Sequence, residues 1–88
     1  MSRVLVVDDE PLICWTLRDH LADEGYQVAI ASNVDEALEA IRLREPDVIL
    51  LDVRMPGTDG LTLLEQLQSR DRGIPVIIMT AFGTLETA

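Results

Sequence analysis

The chain has 88 residues, 48% of them hydrophobic, which leaves room for one small domain and excludes a disordered tail. Its apolar stretches are short and interrupted, which excludes a membrane-spanning helix of about 20 residues. A formal net charge of -9, from 16 acidic and 7 basic residues, argues against direct contact with nucleic acid, which needs a basic face. Every basic residue is an Arg, so the sequence holds no Lys. Cys14 is the single cysteine and cannot form an internal disulfide. The start MSRVLVV turns polar too soon for a secretory signal, so the cytoplasm is the expected compartment.

Taken in chain order, Val4 to Val7 is a β-branched apolar run of the kind shown by a strand buried on both faces. Asp8, Asp9 and Glu10 end it. Pro11 suits the first turn of a helix, along which Ile13, Leu17 and Leu21 form an apolar stripe, and Gly25 closes that helix in a left-handed conformation. Trp15 lies off this stripe and is expected to be a partly buried packing residue. His20 is expected to be solvated, and Cys14 has no neighbouring base to activate it.

Tyr26 to Ile30 alternates like a second strand. Ser32 or Asn33 then caps a second helix, with Asp35 or Glu36 as the capping-box partner and Ala37, Leu38 and Ile41 as its apolar face. Pro46 stops it, and Asp47 to Leu51 is a third strand. The breaker-rich loop from Met55 to Gly60 precedes a third helix carrying Leu61, Leu64 and Leu67, which Gly73 ends. Pro75 to Met79 is a fourth apolar strand, with Met79 in the core, and a further helix begins near Thr84.

This βαβαβαβ alternation predicts a parallel sheet with helices on both faces, right-handed crossovers and strand order 2-1-3-4. Strands one and three are then neighbours at the point where the winding reverses. Ligands of open α/β sheets bind there, beyond the carboxyl ends of the strands. Asp8 and Asp9 at the end of strand one should meet Asp52 at the end of strand three, with the Thr80 hydroxyl at the end of strand four. Read singly, Asp8 and Asp9 would merely favour a helix N-terminus, and Asp52 would merely form a turn. Read together, three carboxylates in one crevice call for a hard divalent cation, and all-oxygen ligation suits Mg²⁺ better than zinc.

Three segments, VLVVDDEP, DVILLDVRMPGTDG and PVIIMTAFG, closely resemble receiver domains of two-component response regulators, and the resemblance runs the whole length of the chain. It implies a flavodoxin-like doubly wound α/β fold for residues 1–88, with strand order 2-1-3-4. It also implies that Asp52 is the phosphoacceptor, Asp9 a direct Mg²⁺ ligand and Asp8 a ligand acting directly or through water. The Arg54 backbone carbonyl would complete the protein's share of the Mg²⁺ site. Thr80 would be the switch hydroxyl that contacts the phosphoryl group, Ala81 would leave room above the site, and Met55, Pro56 and Gly60 would shape the loop.

The partners implied are a sensor histidine kinase or phosphotransfer protein, and an output domain or a second copy, without nucleic acid or membrane contact. Helix one would take part in kinase docking. The family's fifth strand, its Lys and its fifth helix find no counterpart here, which predicts a domain incomplete at its C-terminus, with strand four as an apolar edge prone to association. The segment MTAFG is similar to activators of the nitrogen-regulator type. A phosphoacceptor without independent enzymatic turnover is the reading expected. A non-switching interaction module with the same fold is the alternative, and a hydrolase using paired carboxylates is a third class.

Overall fold

A computed structural model describes residues 2–52, 65 and 73–79. The chain enters as strand β1 (Arg3–Val7), followed by helix α1 (Pro11–Asp23), strand β2 (Gln27–Ala31), helix α2 (Val34–Leu43), strand β3 (Val48–Asp52) and strand β4 (Val76–Met79). The four strands form one parallel sheet in the order β2-β1-β3-β4, as the alternation predicts. The second strand starts one residue later than its alternation suggests, because Tyr26 is used to close α1.

Successive side chains of β1 point to opposite faces, and both faces are covered. Leu5 and Val7 join Ala31, Ile49 and Leu51 under Ala37 and Ile41 of α2. Val4 and Val6 face the other way, onto Cys14 of α1, with Leu17, Leu21 and Leu50 around them. The two helices therefore lie on opposite sides of the sheet, and that double cover is why β1 reads as an unbroken apolar run.

The buried stripe of α1 runs through Cys14, Leu17 and Leu21, which corrects the expected Ile13, Leu17 and Leu21. Ile13 is 39% exposed whereas Cys14 is 2% exposed. Both sets satisfy helical spacing, and the small Cys14 side chain is the one that lies against Val4 and Val6. Trp15, expected to pack partly, is 56% exposed because it follows Cys14 around the helix and points away from the sheet. His20 is exposed, as expected, and Met79 packs against the α1-side cluster.

Both helices end as their sequences require. Gly25 has φ of 95°, its N–H donates to the Ala22 carbonyl at 3.0 Å, and the Tyr26 N–H donates to the Leu21 carbonyl at 3.1 Å. This pair of bonds is the Schellman closure, which needs a left-handed residue at the position Gly25 fills. At the start of α2 the Asn33 side chain accepts from the Glu36 N–H at 2.8 Å, and a Glu36 carboxylate oxygen accepts from the Ser32 N–H and hydroxyl at 2.8 Å each. Asn33 is thus the cap and Glu36 its partner, with the return bond displaced one residue toward the N-terminus.

The third helix, the loop holding Arg54, Met55, Pro56 and Gly60, and the segment with Thr80, Ala81 and Thr84 lie outside the described residues, apart from Glu65, which is helical. Gly73 and Pro75 precede β4 in non-helical backbone. Ile77 and Ile78 of β4 are 55% and 43% exposed among the described residues.

Candidate metal and phosphoacceptor site

Sheet register brings the acidic residues together. β1 and β3 pair with Val6 opposite Leu50 and Val7 opposite Leu51, so the residues that follow, Asp8 and Asp52, leave the sheet side by side. The pleat also sets the face. Val6 and Leu50 both lie on the α1 side, so Asp8 and Asp52, two positions further along their strands, project to that side as well. Asp9 follows in the connection to α1. One carboxylate oxygen from each of Asp8, Asp9 and Asp52 lies within 4.8 Å of the others.

The three carboxylates have unlike surroundings. Asp8 is 3% exposed, while Asp9 and Asp52 are more open to solvent. Burial pushes the Asp8 carboxyl above its ordinary value of 3.8. The Glu10 N–H, which donates to Asp8 Oδ1 at 2.9 Å, opposes the rise, and the charges of Asp52 and Asp9 and a hydrogen bond with the Asp52 side chain add to it. A site that strains to hold its negative charge is one that a cation relieves. Its donors are carboxylate oxygens without a His or Cys among them, so the residues fit a hard ion such as Mg²⁺.

Two contacts of this site lie outside the residues expected from the sequence. The Glu10 N–H to Asp8 bond is a local turn bond. The other is a hydrogen bond from the Cys14 thiol to the Asp8 backbone carbonyl, 3.2 Å long. Burial pushes the Cys14 thiol up, and the charges of Asp8 and Asp9 push the same way, so it stays protonated and able to donate. The signal open to sequence reasoning was the alternative stripe through Cys14, which places that side chain beneath the end of β1. Of the expected site residues, Asp8, Asp9 and Asp52 come together, whereas Arg54 and Thr80 lie outside the described residues.

A doubly wound parallel sheet of this order, with a carboxylate trio at its winding reversal, places an acidic site where open α/β sheets hold their ligands. Residues 4–88 match the response regulator receiver domain, and the chain belongs to that family. It is similar to the DNA-binding transcriptional regulator NtrC of Escherichia coli K12, with 48% identity over 97% of this chain and 18% of the relative. It is 40% identical to sporulation initiation phosphotransferase F of Bacillus subtilis, over 97% of this chain and 68% of that protein.

Among solved structures, the receiver domain of NtrX from Brucella abortus superposes with a TM-score of 0.85 at 38% identity, covering 97% of this chain and 72% of that one. The response regulator TrrA of Thermotoga maritima, solved in complex with Mg²⁺-BeF, gives 0.87 at 36% identity, covering 99% of this chain and 76% of that one. The chain thus spans about a fifth of NtrC and most of a receiver-sized protein. Receiver domains are phosphoacceptor regulatory modules that interact with histidine kinases or other phosphodonors and with output domains, and they generally bind Mg²⁺ in an acidic pocket. Among the described residues no helix is long and apolar enough to cross a membrane.

Proposed function

We propose that residues 1–88 act as one receiver unit that accepts a phosphoryl group on Asp52 and passes the change to an output domain or a second copy. The observation that carries this reading is the meeting of Asp8, Asp9 and Asp52 oxygens within 4.8 Å at the ends of adjacent strands. Asp8 and Asp9, with Asp52 and the Arg54 carbonyl, would hold Mg²⁺. When bound, that ion would supply positive charge to offset the phosphoryl oxygens. The Mg²⁺-BeF complex of TrrA supports this reading, since BeF is a phosphoryl mimic.

Asp52 performs the group transfer. One of its carboxylate oxygens attacks the phosphorus of a phosphohistidine on a sensor kinase or phosphotransfer protein. The O–P bond forms as the P–N bond breaks, the electron pair leaves on the imidazole nitrogen, and that nitrogen takes up a proton from water. An acyl phosphate results on Asp52. Asp8 and Asp9 remain unmodified, while the Thr80 hydroxyl would contact the new phosphoryl group. The protein assists its own modification without turning over a free substrate.

Cytoplasmic placement and a transcriptional output accord with the NtrC likeness. The DNA contact stated in that relative's name would then belong to a region other than this acidic segment. Phosphoramidate, whose P–N bond resembles that of phosphohistidine, tests the chemistry without a cognate kinase. The intact protein should gain one phosphoryl group by mass in the presence of Mg²⁺, and Asp52→Asn should gain none. Equal labelling of Asp52→Asn would remove Asp52 from its role. No labelling of the unmodified protein under conditions that label another receiver would favour the non-switching interaction module.

A further inference from the structure

The junction between Asp8 and Asp9 is gripped by a side chain from outside the acidic group. The Asp8 N–H donates to the Ala31 carbonyl at 3.0 Å, and its Oδ1 accepts from the Glu10 N–H at 2.9 Å. Its carbonyl oxygen accepts from the Cys14 thiol at 3.2 Å. That oxygen belongs to the same planar unit as the Asp9 nitrogen. Fixing it fixes the backbone torsions on either side of the peptide, and these torsions direct the Asp8 and Asp9 carboxylates.

Cys14 is itself held firmly. It is 2% exposed, packed with Val4 and Val6, and lies in the first turn of α1, where its N–H donates to the Glu10 carbonyl at 3.1 Å. The thiol therefore joins a packed helix to the end of β1 from which the carboxylates emerge.

We propose that Cys14 is a positioning residue for the cation site, its thiol orienting the Asp8–Asp9 peptide so that both carboxylates turn toward Asp52. This rests on the reading of Asp8, Asp9 and Asp52 as a Mg²⁺ site. A residue that only filled the core would act through its volume, and the loss of its donor would leave metal binding unchanged.

Cys14→Ala and Cys14→Ser separate the two roles in the intact protein. Alanine removes the donor and keeps an apolar side chain, whereas serine keeps a donor and buries a more polar one. Mg²⁺ titration followed at the Asp9 amide by NMR should show affinity weakened about threefold to fivefold by Cys14→Ala, the scale of one hydrogen bond, and restored to within about twofold by Cys14→Ser. In metal-free protein the Asp8 carbonyl carbon resonance should move in Cys14→Ala and return toward its original position in Cys14→Ser. Urea unfolding of both variants gives the stability order for comparison. If Cys14→Ala does not fold, Cys14→Val keeps the apolar volume without the donor.

Unchanged Mg²⁺ affinity and an unmoved Asp8 carbonyl in Cys14→Ala would overturn the positioning role alone. So would weakening in both variants that simply follows their loss of stability. Unmodified protein that takes up no Mg²⁺ would instead overturn the cation site on which the proposal rests.

Discussion

Asp8 carries a conflict between folding and the proposed cation site. Its carboxyl holds a proton more tightly in the folded chain than in the unfolded one, chiefly because it is buried and also because Asp52 and Asp9 stand beside it. The stability linked to that proton is full below the ordinary value of 3.8 and is lost as pH rises through the raised folded value. At neutral pH the ionised group is a net cost to the metal-free fold. Asp8→Asn keeps an oxygen for the Glu10 N–H and removes the charge. It should therefore raise the urea midpoint at pH 7 in the absence of divalent ions, while weakening Mg²⁺ binding. A lower midpoint for Asp8→Asn at pH 7 would contradict this account. The three carboxylates were legible in the sequence because Asp8 and Asp52 end apolar runs that read as strands, and Asp9 follows Asp8 directly. The Cys14 contact was not, since its acceptor is a backbone oxygen and any residue type presents one.

The helices show what local pattern can and cannot decide. The cap of α2 was narrowed to Ser32 or Asn33 because both side chains can accept from a free helix N–H, and backbone geometry alone selects Asn33. Ser32 instead joins Glu36. Asn33→Ala should cost about 1 kcal/mol of stability, measured by urea unfolding, and Asn33→Ser should recover most of it. In α1 the pattern misled, because residues 13 and 14 both keep helical spacing to Leu17 and Leu21. Only the fit against Val4 and Val6 distinguishes them, and that fit is a property of the sheet beneath. Trp15 follows from the same rotation of the helix. Once Cys14 turns inward, the next residue turns outward and presents a large aromatic surface to solvent.

At the scale of the molecule, a sheet covered on both faces concentrates stability in a few central side chains. Leu51 is fully buried beside Ile49, Val7 and Ile41. Leu51→Ala should cost about 2 to 5 kcal/mol, a large share of the roughly 5 to 15 kcal/mol that holds a small domain folded. Circular dichroism of that variant should show a much lower melting temperature, and an unchanged one would mean that the site collapses around the missing atoms. Strand order was legible because unbroken apolar runs, alternating with helices, permit few arrangements. Strand four, expected as an apolar edge, lies at the end of the sheet with Ile77 and Ile78 exposed among the described residues.

The place of β1 has a consequence in time. It precedes the other described strands in the chain and sits between β2 and β3, so Asp8 and Asp52 meet only after a contact across 44 positions has closed. No helix or hairpin formed early can assemble the trio by itself. A cation taken up there selects the closed sheet over every partly assembled chain, stabilising it by an amount set by the ion's concentration relative to its dissociation constant. Amide exchange with heavy water should consequently slow in β1 and β3 together on adding Mg²⁺, including positions far from the carboxylates. Protection confined to residues 8–10 would mean that the ion steadies only a loop. Under the first outcome the ion acts as a late clasp, and the lifetime of the assembled sheet becomes a function of ionic supply.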